Sequence, residues 1–207
     1  MTRESKYLLW SSNFWYFGSG LFGPLFAVFT QQIGGNIFDI TEVWAAYLIS
    51  MGGFIILLGK LSDSHYSKHS MILLGYLLNA ILTFGYLLVR TPFQLFLIQV
   101  GLGFSYALAA PTWNALYGRH SQVGRDGYAW GLSSGFEKIA TGFAILVGGL
   151  IVAQFSFRVL FLLMGCVQLF ALILQWRSFS NRAIHDPVKD RGNGSNADTA
   201  NSFESLP

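Results

Sequence analysis

The sequence predicts an all-α integral membrane fold of six transmembrane helices, and three observations carry that prediction. Only 11% of the 207 residues are charged while 53% are hydrophobic. A soluble domain carries about 25% charged residues, so much of this surface faces something other than water. The apolar residues gather into six stretches, each long enough for the roughly 20-residue helix that crosses a bilayer. Nearly all basic residues fall between those stretches, and they favour one side.

The first stretch, Tyr7–Gln31, follows a short basic segment, Met1–Lys6. That arrangement has the look of a secretion signal. The apolar run passes twenty residues without a small-residue cleavage site, which predicts a retained first span. Gly34, Gly35 and Asn36 close it. The second span covers Val43–Leu61 and the third Ser70–Val89, which Arg90, Thr91 and Pro92 punctuate. The fourth is Phe93–Tyr117, the fifth Gly131–Phe155 and the sixth Phe157–Trp176. Connections this short force antiparallel neighbours. Beyond Arg177 the composition turns to Asn, Ser, Gly and Asp. A segment of that kind buries too little to offset its ordering entropy. The expected organisation is therefore a membrane domain over 1–177 and a disordered tail over 178–207.

Orientation follows from the basic residues, because cytoplasmic loops hold the excess. With the N-terminus inside, ten residues fall on the inner side: Arg3, Lys6, Lys60, Lys68, Arg119, Arg125, Arg177, Arg182, Lys189 and Arg191. Only Arg90 and Arg158 fall outside, and Lys138 lies within the fifth span. Both termini are expected in the cytoplasm. The match to a glycosylation acceptor at Asn193–Gly194–Ser195 then reads as chance.

A net charge of +3, dispersed between apolar runs, gives no case for a nucleic-acid partner; the expected surroundings are lipid. One cysteine, Cys166, excludes an intrachain disulfide and reads as a small buried hydrophobe. The four histidines, His65, His69, His120 and His185, fall in expected loops or the tail. No zinc-binding His-Glu-x-x-His pair, Gly-x-Ser-x-Gly elbow or phosphate-cradling loop occurs. Neither enzymatic activity nor a cofactor or metal is expected.

A weak internal echo runs through the spans. Gly52–Gly53 matches Gly148–Gly149, and Gly18–Ser19–Gly20 ahead of Pro24 matches Gly101–Leu102–Gly103 ahead of Pro111. Spans one to three would then repeat as four to six, in the manner of three-helix inverted repeats. Glu137 and Lys138 form an adjacent ionisable pair inside a span, where charge is costly. Glu137, Thr141, Ala144 and Gly148 recur on one narrow, small and polar face, which suits the bundle interior. Glu137 has two readings, a coupling or substrate site and a structural tie to a neighbouring helix. Gly59, between spans two and three, has the look of a close-approach glycine.

The stretch Gly59–Lys60–Leu61–Ser62–Asp63, followed by Lys68, resembles the loop of the major facilitator superfamily that reads Gly-x-Leu-x-Asp-Arg-x-Gly-Arg-Lys. Gly59, Leu61, Asp63 and Lys68 match, while Ser64, Tyr66 and Ser67 replace an Arg, a Gly and an Arg. Gly18 and Pro24 are similar to that family's Gly-x5-Pro helix pattern, with Ala27 in place of its second Pro. Gly101 and Gly103 resemble its fourth-span Gly-x-Gly, with Leu97 where an Arg associated with proton coupling stands. Gly148 and Gly149 resemble the end of its fifth helix, with Ala144 and Ile145 where many antiporters carry Gly-Pro.

The resemblance implies half of a twelve-span fold and a secondary transporter that moves a small solute by alternating access. Gly59, Leu61, Asp63 and Lys68 would form the cytoplasmic gate. Spans one and four would line the path, which makes Asn13, Tyr16, Ser19 and Pro24 candidates on the first. On the fourth the candidates are Gln99, Tyr106, Pro111, Trp113 and Asn114. Each polar member also has a plainer reading as a bridge between helices. Gly18, Gly101, Gly103, Gly148 and Gly149 are expected packing positions. Six spans lack an opposite wall, so a second half is expected from a homodimer or a separate chain; a truncated or non-transporting scaffold is the alternative. The expected location is the plasma membrane.

Overall fold

The computed structural model describes residues 3–62, 68–120 and 126–180. Within them every regular element is helical. The order is α1 (Arg3–Gly20), α2 (Leu25–Gln32), α3 (Ile37–Ser62), α4 (Lys68–Gly85), α5 (Pro92–His120), α6 (Asp126–Gln154) and α7 (Phe157–Ser180), with a 3-10 turn at Tyr86–Leu88 after α4. Five of these, α3 to α7, are long and apolar enough to cross a membrane.

The first expected span is broken. Pro24 has no N–H to donate to the preceding turn, and residues 21–24 leave the regular helix. Leu21 N–H still donates to the Phe17 carbonyl at 3.1 Å and Phe26 N–H to the Phe22 carbonyl at 3.0 Å. The chain thus continues as a two-part helix rather than turning back. Pro111 behaves differently, since α5 runs through it.

Short connections close one end of the bundle. Gly34, at φ 87°, occupies the left-handed region that glycine enters at little cost. The turn is held by Gly35 N–H to the Thr30 carbonyl at 2.9 Å and Gly34 N–H to the Gln31 carbonyl at 3.0 Å. Asn36 then caps α3: its Oδ1 accepts from Phe38 N–H at 2.7 Å and Asp39 N–H at 3.2 Å, while Asn36 N–H donates to Asp39 Oδ2 at 2.7 Å. This reciprocal cap satisfies donors that a helix start leaves free. It explains why α3 begins at Ile37 and not at Val43, where the apolar run begins. Thr91 Oγ1 accepts from Gln94 N–H at 3.3 Å at the start of α5.

The other ends differ less from expectation. α7 reaches Ser180, so the first residues of the expected tail are helical, and 181–207 lie outside the described residues. His69 belongs to α4 rather than to a loop, with its ring edge-on to Phe179 at 4.3 Å.

Packing follows a regular scheme. α1 lies against α6 and α7, α5 lies against α3 and α4, and α4 lies against α7. Two apolar clusters fill the interior. One gathers Leu21, Phe22, Phe26, Phe29, Tyr86, Phe157 and Phe161. The other, around the first half of α1, gathers Leu8, Leu9, Trp15, Ile72, Tyr76 and Trp113. Cys166 is exposed on α7, contrary to the expected burial. Helical rotation places it on the outer face, while Gly165 beside it packs on the Phe84 ring.

Candidate functional site

Small residues let the helices approach. A Cβ on Gly18 would sit 2.7 Å from Gln168 Nε2 of α7, and one on Gly20 would sit 3.0 Å from the Ala144 Cβ of α6. A Cβ on Gly101 would sit 2.8 Å from Leu82 Cδ1 of α4, and one on Gly103 would sit 2.8 Å from the Tyr47 carbonyl of α3. Gly148 lies against the Leu21 carbonyl. Thr141, Ala144 and Gly148 therefore meet α1 along one seam of α6. Gly149, Gly52, Gly53 and Gly59 are different. A Cβ on any of them meets nothing within 4 Å, so the expected close approach at Gly59 is absent among the described residues.

Between the packed seams lies a cavity of about 110 Å³. α1 contributes Trp15 and Ser19, the broken segment Phe22 and Gly23, and α3 Trp44 and Tyr47. α4 adds Asn79 and Thr83, and α5 adds Gln99, Leu102 and Tyr106. Asn79 is 4% exposed. Its Oδ1 lies 3.5 Å from Ser105 Oγ, which donates to the Leu102 carbonyl at 2.9 Å, and its Nδ2 is buried without a partner. Thr83 Oγ1 donates to the Asn79 carbonyl at 2.7 Å, the usual local bond of a helical Thr. No residue lining this cavity carries a charge.

A second cavity, of about 40 Å³, lies toward the start of α1 among Ser12, Trp15, Tyr16, Tyr76, Tyr106, Trp113 and Asn114. Trp15 and Tyr106 line both, and Tyr16 of α1 joins Tyr106 of α5 in the wall of the smaller. Trp113 Nε1–H reaches the Leu8 carbonyl at 3.2 Å, tying α5 to α1 at this end.

The candidates from the sequence thus divide. Ser19, Gln99 and Tyr106 line the larger cavity, and Tyr16, Tyr106, Trp113 and Asn114 the smaller. Asn13, Pro24 and Pro111 line neither. Glu137, its side chain 25% exposed, sits beside Lys138, 76% exposed, with Lys138 Nζ 2.6 Å from Glu137 Oε1. Of the loop motif, Lys68 opens α4 and Gly59 and Leu61 lie in α3. Asp63 lies outside the described residues. The sequence reading missed Asn79, Thr83 and Trp15. Asn79 and Thr83 stand four apart in an otherwise apolar span, which is a signal for one polar helix face.

Polar tethers join α1 to α7. Gln168 Nε2 donates to the Trp15 carbonyl at 3.1 Å and Ser19 Oγ at 3.2 Å, and Ser11 Oγ donates to Gln175 Oε1.

The profile described as Major Facilitator Superfamily matches residues 8–204. The multidrug resistance protein MdtG of Escherichia fergusonii is 26% identical over 169 residues, covering 79% of this chain and 41% of that protein. MdtG of Salmonella arizonae is 25% identical over 171 residues, covering 80% and 42%. The chain spans about two-fifths of the length of the curated relatives it matches.

Proposed function

The chain belongs to the Major Facilitator Superfamily and is a multi-pass integral membrane protein, and on that premise we propose that it forms a six-span half of a secondary transporter. In this reading α1 and α2 together make the first span, bent at Pro24, and α3 to α7 make the other five. The half moves a small solute by alternating access along the cavities between α1 and α5. The relatives' description as multidrug resistance proteins supports a small organic solute.

The observation that carries the reading is the paired behaviour of the two glycine triplets. In α1, Gly18 faces α7 and Gly20 faces α6; in α5, Gly101 faces α4 and Gly103 faces α3. Exchanging spans one to three with spans four to six turns each contact into the other. The main helix contacts exchange in the same way, α1–α6 with α5–α3 and α1–α7 with α5–α4, while α4–α7 maps onto itself, which supports two inverted three-helix repeats.

The ten-to-two distribution of basic residues supports cytoplasmic termini in the plasma membrane, with Gly59, Leu61, Asp63 and Lys68 at a cytoplasmic gate. Glu137 is a coupling or tethering acid at the inner part of α6. The open faces of α3 and α6 suit a second six-span half, from another copy of this chain or a separate one.

The test is flux into proteoliposomes holding the chain, alone and with a co-expressed second half. Radiolabelled neutral, cationic and anionic organic solutes are offered under an imposed proton or sodium gradient. Uptake above empty vesicles is expected for at least one class. Folded protein that moves none of them, in either assembly, overturns the reading in favour of a non-transporting scaffold.

A further inference from the structure

We infer that the larger cavity selects an uncharged, single-ring aromatic group carrying a hydrogen-bond acceptor, and that the Asn79 amide is the group that reads the acceptor. This deepens the transport reading and rests on it. Size sets the first limit. An apolar cavity of about 150 Å³ accepts benzene, so a space of about 110 Å³ that is open on one side holds no more than one ring, such as the single-ring end of a larger solute. The walls set the second. Trp15, Phe22, Phe26, Trp44, Tyr47 and Tyr86 surround the space and offer ring edges and faces to an aromatic guest.

Charge decides the third. The lining carries no carboxylate, ammonium or guanidinium. A carboxylate or ammonium entering would lose its water without gaining a counter-charge. Attraction of a cation to the ring faces is real but small beside that loss.

The polar end is set by Asn79. A buried amide N–H without a partner is costly and rare in folded proteins. Here Asn79 lines the cavity, its Nδ2 is closed off in the empty cavity, and the other end of the amide is turned to Ser105. A carbonyl or ether oxygen on the guest supplies the missing acceptor, and Gln99, 4% exposed on the same wall, offers a second amide.

The test is photolabelling of the full chain in membrane vesicles with 4-azidobenzamide, mapped by peptide mass spectrometry. Labelling is expected on residues of α1, α3 and α5 that line the cavity. Benzamide and acetophenone should displace it, with benzoate, benzylammonium and ethylbenzene about ten-fold weaker, as expected for an unpaired donor or an unpaired charge. Asn79→Leu keeps the shape and removes the amide. It should erase the preference of acetophenone over ethylbenzene while leaving thermal unfolding unchanged or slightly higher.

The competitor series on the unaltered chain keeps the test valid should that variant fail to fold. Preference for either ion, equal displacement by ethylbenzene, or no cavity labelling in folded protein overturns the inference. Labelling needs no flux, so the two readings fail separately. A chain that binds acetophenone and moves nothing fails as a transporter, while flux of a charged aromatic that Asn79→Leu leaves unaltered fails this assignment alone.

Discussion

α3 and α6 differ from the other long helices in what they bury. In their apolar stretches 6% and 11% of residues are buried, against 44%, 44% and 39% in α4, α5 and α7. Yet composition separates them poorly, since all five are apolar enough to span a bilayer. The difference lies in how each is held. α4 and α7 sit between several neighbours, whereas α3 is held mainly by α5 and α6 mainly by α1. Small residues line a seam in each of those contacts, Gly103 for α3 and Gly20, Ala144 and Gly148 for α6, and much of the remaining helix surface is open. In lipid, where no hydrophobic force drives helices together, close backbone approach is what remains to hold such a pair.

The sharpest way to break that comparison uses two adjacent glycines. Gly148 lies against the Leu21 carbonyl, and Gly149 faces open space. Gly148→Leu should cost about 3 kcal/mol, the upper part of the range for overpacking, read as thermal unfolding in detergent. Gly149→Leu should stay within about 0.5 kcal/mol, as for a surface change, and should instead weaken association with a second half. Equal losses at the two positions would show that α6 is packed all round.

On the other arm, Gly103→Ala should cost about 2 kcal/mol. The added methyl would meet the Tyr47 carbonyl at 2.8 Å and the Met51 nitrogen at 2.9 Å. Backbone cannot swing aside as a side chain can. Gly101→Ala is the milder control, because the Leu82 side chain it meets has rotamers to use. A larger loss at Gly101 than at Gly103 would reverse the assignment of α3 as the weakly held helix.

These contrasts also mark how far the sequence could be read. The apolar runs located five helices, with starts up to six residues late at α3 and five at α6, because bilayer thickness imposes a length that composition reveals. The run was silent about Pro24, since a missing N–H breaks a helix without changing its hydropathy. It was silent too about residues 37–42, where Asp39 and Glu42 hide a helix start that the Asn36 cap explains. Gly148 and Gly149 look alike in a sequence, and only rotation about the helix separates them. At the cavity, attention to spans one and four found Ser19, Gln99 and Tyr106 but passed over Asn79. Its role depends on α4 lying against α5, a tertiary fact.

The well-held side of the comparison should respond more weakly to polar substitutions. Gln168→Leu removes the bonds to Trp15 and Ser19 but also removes a buried Oε1 that has no partner. The net loss should be about 0.6 kcal/mol or less, the average for such bonds between membrane helices. A loss of about 2 kcal/mol or more would make the α1–α7 tether, and not close packing, the main fastening of α1.

The smallest effect should come at Cys166, where one turn of α7 holds both kinds of surface. Gly165 packs against Phe84 and Gln168 against α1, while Cys166 between them points outward. Cys166→Leu adds volume, which in a packed interior costs about 1–3 kcal/mol. On an outer face bathed by lipid it should change unfolding by less than about 0.5 kcal/mol. The thiol supplies an independent reading, because a charged reagent does not readily enter the hydrocarbon of a bilayer. In membranes Cys166 should therefore resist a charged methanethiosulfonate reagent, and detergent extraction should release that protection. A destabilising Cys166→Leu would place the residue inside a contact, and fast labelling in intact vesicles would place it in water; either would move the outer face of α7 away from lipid.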